Sequence, residues 1–199
     1  MIPRHLKITF VLLLCALAAT LLYTWLVKRG AHRAAVQAPA ELQRPIAPPV
    51  SGAAEHVVLF IADDQGGVLH RADATFTLPP EPGPRLRELL RGLVSRYVAP
   101  DSTHALPAGA DVNDVYIVNG NVALVDVNSA FADAHRSGVL AEELTVLSLV
   151  QTISANMPGI AQVKILVNGK ERETLAGHAE LADFYDVAAV NRAVSQMSR

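Results

Sequence analysis

Residues 139–169 constrain the fold of this chain more than any other stretch. Leu140, Leu144, Leu147 and Val150 recur at helical spacing, and Val139, Val146, Leu149 and Ile153 widen the row into a broad apolar face. Pro158-Gly159 ends that helix. A β-branched run, 163–167, follows, and Asn168-Gly169 closes it with a strong hairpin-turn signal. A wide apolar helix feeding a buried strand has to be core, so the other elements must pack on it.

The rest of the chain divides by composition. Residues 8–27 are uncharged, with Thr9, Thr20 and Thr24 as their polar members and Tyr23 and Trp25 near the far end. Twenty helical residues span roughly 30 Å, a bilayer core, so residues 1–29 read as a cytoplasmic tip and one transmembrane anchor. The competing reading is a signal peptide cut after Ala16-Leu17-Ala18, which would leave an apolar heptad on the mature end. Residues 30–54 hold Pro39, Pro45, Pro48 and Pro49 and read as a linker.

The folded part is expected over 55–180. An apolar run at 56–62 reads as a central strand, followed by a turn at 63–67 and a return strand, or two short ones, at 68–70 and 73–78. Pro84 suits the first position of a helix carrying Leu86, Leu89, Leu90, Leu93, Val94 and Tyr97 inward. Strands at 112–118 and 122–127 flank Asn119-Gly120. Residues 128–138 read as a loop or short helical turn holding Phe131, and residues 171–175 as a short charged edge strand. Residues 181–199 form a helical extension with Phe184, Val187, Val190 and Val194 in one row. Helices mixed with hairpins imply an α+β fold, a mixed β-sheet with helices packed on one face.

Charge excludes one class of function. Residues 1–54 carry six basic side chains and one acidic, whereas residues 55–199 carry 11 basic and 18 acidic. An acidic domain with few aromatics is not built to neutralise phosphates, so no nucleic-acid partner is expected. The only cysteine is Cys15, so no disulfide forms within the chain.

No catalytic, metal or cofactor site is expected; an envelope hydrolase, the third reading after assembly and wall-polymer binding, has no base, nucleophile and orienting group that can be named together. Asp63-Asp64-Gln65-Gly66-Gly67 lacks the spaced acids of a calcium loop, and Asp111, Asn113 and Asp114 read as turn starters. His56, His70, His104, His135 and His178 are scattered without metal-ligand spacing, and Ser129, Ser148 and Ser154 lack a nucleophile-elbow frame. Asp126 interrupts an apolar strand; it either faces solvent or fixes the following loop through amides near Ser129, a structural role and not a catalytic one. Gly120, Asn168 and Gly169 are structural turn positions. Arg85, Arg87, Arg91 and Arg96 line the outer face of the first helix of the domain, a solvated face or an interaction surface for an acidic neighbour or wall polymer.

The ordered motifs resemble a known family. Residues 119–131, reading Asn-Gly-Asn-Val-Ala-Leu-Val-Asp-Val-Asn-Ser-Ala-Phe, are similar to the "dG.a.vdls..f" segment of the GerMN domain of sporulation and germination proteins. Residues 150–153, 163–169 and 173–178 are similar to its later segments. Residues 57–60, 89–93 and 106–109 are similar to its first strand, its helix end and its turn, with Leu93 in place of the usual proline. The resemblance covers roughly residues 55–180, in one copy. It implies a GerMN-like fold, akin to ring-building modules, and a structural rather than enzymatic role. It also implies a bacterial envelope protein, single-pass in the inner membrane, with the domain extracytoplasmic. Partners would be copies of itself, other envelope proteins or peptidoglycan. The positive residues Lys28, Arg29 and Arg33 beyond the apolar run argue for a cytoplasmic domain instead. The positive flank at Arg4 and Lys7 weakens that argument, and the outside location is the expectation retained.

Overall fold

The structure, a computed structural model, describes residues 54–197. The expected anchor at 8–27 and the linker up to residue 53 lie outside these residues. Among the described residues no helix is long and apolar enough to cross a membrane.

In chain order the elements are β1 (Ala54–Asp63), β2 (Val68–Thr77), α1 (Pro82–Val98), β3 (Val112–Val118) and β4 (Val122–Val127). The short α2 (Ser129–Asp133), α3 (Val139–Asn156), β5 (Gln162–Val167), β6 (Tyr185–Asp186) and α4 (Val187–Met197) follow. A four-stranded sheet runs β3-β4-β5-β6. Its β3–β4 and β5–β6 pairs are antiparallel and β4–β5 is parallel, so the sheet is mixed and the fold is α+β. The parallel pair needs a crossover, which α2 and α3 supply.

Both Asn-Gly dipeptides make the turns that their chemistry favours. Asn119 (φ 53°) and Gly120 (φ 76°), like Asn168 (φ 50°) and Gly169 (φ 71°), are left-handed at both positions, a conformation that asparagine and glycine adopt at low cost. Across the second turn Val167 and Lys170 exchange both backbone hydrogen bonds.

Several sequence expectations are corrected. β1 is not central: it pairs with β2 alone in a two-stranded ribbon separate from the mixed sheet. Of the two readings of the return, the single strand is the one formed. α1 begins at Pro82, two residues before Pro84, because Pro82 itself takes the first helical turn. Residues 171–175 form no strand. After Lys170 the chain departs, Leu175 is drawn into the core, and β6 takes the edge of β5 at Gln162 and Val163. The last helix starts at Val187 rather than 181, and Phe184 lies exposed outside its buried row of Val187, Val190 and Val194. Val139 and Leu140 are also exposed, so the buried face of α3 starts at Ala141.

α1 packs against β3 and α3 against β1. The α1 approach is close: a Cβ on Gly83 would lie 2.6 Å from the Val115 carbonyl oxygen. A backbone atom cannot swing aside as a side chain can, so Gly83→Ala must displace the start of the helix. We expect a loss of about 1–3 kcal/mol, read as a lower Tm in thermal unfolding.

The packing of α3 on β1 is polar as well as apolar. One edge of β1 pairs with β2; the other would leave amides and carbonyls of alternate residues without partners. Side chains serve them instead. Asn156 Oδ1 accepts from Val58 N–H (3.0 Å) and its Nδ2 donates to the Val58 carbonyl (2.7 Å). Thr152 Oγ1 accepts from Phe60 N–H (3.0 Å), and the Ser148 hydroxyl donates to the Phe60 carbonyl (2.6 Å). The Tyr97 hydroxyl accepts from Ala62 N–H (2.8 Å) and the Thr103 hydroxyl donates to the Ala62 carbonyl (3.2 Å). Ser148, Thr152 and Asn156 are four residues apart, so one helix face carries this ladder.

Candidate functional site

The arginine face of α1 is largely engaged within the domain. Arg85 pairs with Glu55, and Arg87 lies 3.1 Å from Glu88 and 3.6 Å from Asp114. Arg91 Nε donates to the Val112 carbonyl at 2.9 Å and sits 3.2 Å from Asp111. These bonds tie α1 to β1 and to the start of β3. Arg96 is exposed near the end of the helix.

Asp126 is buried and bridges three segments. Its Oδ1 accepts from Gly169 N–H at 2.6 Å and its Oδ2 from Asn113 Nδ2 at 3.1 Å. The expected contact near Ser129 is therefore corrected. That loop has its own cap, Asn128, whose Oδ1 accepts from Phe131 N–H at 2.9 Å. Asp126→Ala would leave the Gly169 amide without its acceptor at a turn held in the left-handed region. The expected cost is about 1–3 kcal/mol in urea unfolding.

The scattered histidines converge where the sequence showed no spacing. His104 Nδ1 donates to Asp64 Oδ1 (2.6 Å), and its Nε2 lies 2.7 Å from Thr145 Oγ1. His135 Nε2 lies 2.8 Å from the same hydroxyl, and its Nδ1 donates to the Arg136 carbonyl (2.8 Å). Arg136 Nη2 closes the group on Asp64 Oδ2 at 2.5 Å. Carboxylate, imidazole and hydroxyl stand in the order used for nucleophilic catalysis, yet no substrate can reach them. Thr145 is fully buried and its hydroxyl also contacts the Ala141 carbonyl at 2.9 Å. The cluster instead ties the β1–β2 turn, the loop after α1 and the approach to α3 onto one helix position. Burial holds the His135 pKa below the usual imidazole value, the Arg136 carbonyl only partly offsetting it. The remaining histidines lie apart: His56 is exposed and His70 lies 3.5 Å from Asp63 at the surface.

The 63–67 segment is a plain turn. Asp63 Oδ1 accepts from Gln65 N–H and its carbonyl from Gly67 N–H, while Asp64 serves the histidine cluster. Among the described residues no three His, Cys, Asp or Glu side chains come together in a metal-holding group.

One turn before Thr145, Glu142 gathers five donors. Its Oε2 accepts from the amides of Ala176 (2.9 Å), His178 (2.9 Å) and Ala179 (3.0 Å). Its Oε1 accepts from Gly138 N–H (3.1 Å) and His178 Nδ1 (2.9 Å). Burial by itself would raise this carboxyl's pKa. The bonds from the His178 ring and from the three amides outweigh it and hold the group well below the carboxylate range. The loop at 176–179 is thereby fastened over the first turn of α3, where the helix dipole also favours a negative charge.

Beside this fastening lies a cleft of about 220 Å³. Val139, Val146, Leu147 and Ala179 give it apolar walls, and Glu143, Glu180, His178 and Tyr185 bring polar groups to it. The Tyr185 hydroxyl donates to the Glu180 carbonyl. Its pKa is pushed up to about 12, first by burial and then by Glu180 and Glu143.

The family model described as Germane: Sporulation and spore germination matches residues 58–173. Among solved structures, the tandem GerMN domains of the sporulation protein GerM from Bacillus subtilis are 23% identical at a TM-score of 0.49, over 67% of this chain and 46% of that one. The first GerMN domain of that protein is 22% identical at a TM-score of 0.46, over 65% of this chain and 94% of that one. The chain therefore spans less than half of the tandem structure. Among curated proteins none matches. With more than half of its length matched, in a single copy at residues 58–173, the chain belongs to the GerMN (Germane) family of sporulation and spore-germination domains.

Proposed function

We propose that the chain is a membrane-anchored envelope protein whose GerMN domain has a structural role, joining copies of itself or other proteins in an extracytoplasmic complex. One observation carries the reading furthest. The Asp64–His104–Thr145 group, the described residues' nearest approach to catalytic geometry, is sealed and spent on holding loops together. The open feature is the cleft beside α3, which suits binding rather than bond chemistry. Sporulation or germination enters through the family alone. The open cleft also favours a second reading, a module binding peptidoglycan or another wall polymer.

Light scattering on the full chain in mild detergent, across concentration, tests the first reading. A defined oligomer, or a defined complex after crosslinking in intact envelopes, supports assembly. A strict monomer with no crosslinked protein overturns it and favours the polymer. A C-terminal reporter active only outside the cytoplasm tests the orientation, and an inactive reporter would refute it.

A further inference from the structure

We propose that the cleft beside the first turns of α3 is the docking site for a lysine or arginine side chain presented by a partner protein. This deepens the assembly reading and rests on it for the class of partner. At about 220 Å³ the cleft is smaller than the usual range for cofactors and drug-sized ligands, and suits a single long side chain. Its walls at Val139, Val146, Leu147 and Ala179 are apolar, and Val139 is 63% exposed, an aliphatic side chain with no neighbour over it. Two carboxylates, Glu143 and Glu180, stand at the same opening. Glu180 also accepts from the Ala182 amide, whereas the Glu143 carboxylate has no hydrogen bond or ion pair with the other described residues. The raised Tyr185 hydroxyl responds partly to the field of these two groups.

These features select a ligand by exclusion. An anion would meet two carboxylates. A purely apolar group would fill the walls but strip water from the charges without compensating them. A cation on an aliphatic stem satisfies both parts: the stem covers the walls and the head reaches the carboxylates. Among the described residues no lysine or arginine lines the cleft, and His178 turns its Nδ1 to Glu142. The excess of 18 acidic over 11 basic side chains in residues 55–199 favours a basic partner at longer range.

The test uses the full chain in detergent, labelled for amide NMR, with pentylammonium, 1-pentanol and the peptide Ac-Ala-Lys-Ala-NH2 as probes. Pentylammonium and the peptide should shift the amides of Val139, Val146 and Ala179. Pentanol should bind at least about fivefold more weakly, and Glu143→Gln with Glu180→Gln should weaken pentylammonium to a similar degree. Equal binding of pentanol, indifference to the double substitution, or no shift at these amides would overturn the proposal. Displacement of pentylammonium by wall fragments but not by the peptide would overturn the choice of a protein partner. The oligomer measurement separates the two readings. A defined complex with no cation binding sinks the cleft alone; a strict monomer that binds the cation but crosslinks to no protein sinks assembly.

Discussion

Glu142→Ala is expected to remove about 3–5 kcal/mol of stability, the size seen when one partner of a buried charged group is deleted. That is a large part of the roughly 5–15 kcal/mol that holds a domain folded. Four backbone amides and the His178 ring point at this one carboxylate. Without it the amides at 176, 178 and 179 face an apolar gap, and the loop has no other acceptor to turn to. Glu142→Gln keeps the shape but replaces one acceptor oxygen with an NH₂ facing donors. We expect about 2–3 kcal/mol for it. Urea unfolding gives both values, and limited proteolysis near residues 173–180 should accelerate in both variants. The pH dependence follows from the lowered carboxyl pKa. A group with a depressed folded pKa contributes fully above the ordinary glutamate value, about 4.3, and its contribution fades as pH falls toward the folded value. Wild-type protein should therefore lose stability below about pH 4.3, and Glu142→Gln should flatten that limb.

Thr145→Val should cost about 2–4 kcal/mol, because the change keeps the volume but leaves two buried imidazole nitrogens without a partner. Thr145→Ser restores the hydroxyl and should recover most of the loss, which a purely steric role for Thr145 would not explain. The histidines add a second pH limb. With His135 held below its usual pKa, the unfolded chain takes up a proton first as pH falls. Stability should be full above about pH 6.5 and decline below it until the folded-state value is reached. Urea midpoints measured from pH 5 to 8 read this directly. A stability that rises on acidification through pH 6 would contradict a neutral, buried His135.

Much of the framework was legible in sequence for reasons of local chemistry. The strands at 112–118 and 122–127 and the two Asn-Gly turns follow from backbone preferences within a few residues. The long helix at α3 follows from apolar spacing. What resisted reading depends on partners far along the chain. Asn156 serves Val58, 98 residues away, and Thr152 serves Phe60, 92 residues away. Polar residues inside an apolar helix read as interruptions, although Thr145, Ser148, Thr152 and Asn156 recur at three- and four-residue steps and could have been seen as a second stripe. The histidine cluster had no such signal, since His104 and His135 sit on loops 31 residues apart and meet only in the folded chain, around Thr145. The missed edge strand has the same origin. Glu171 and Glu173 read as a charged edge, but Leu175 has more to gain in the core, and the amides beyond it bind Glu142.

The side-chain ladder on β1 makes that strand's outer amide protons report on a helix. In an ordinary hairpin the outward amides exchange with solvent at once. Here Val58, Phe60 and Ala62 give their N–H groups to Asn156, Thr152 and Tyr97. Their deuterium uptake is then gated by separation of α3 and α1 from the ribbon, and not by fraying of the hairpin itself. Strand and helix, almost a hundred residues apart, behave as one opening unit, so whatever loosens the second half of α3 from the ribbon becomes measurable on β1.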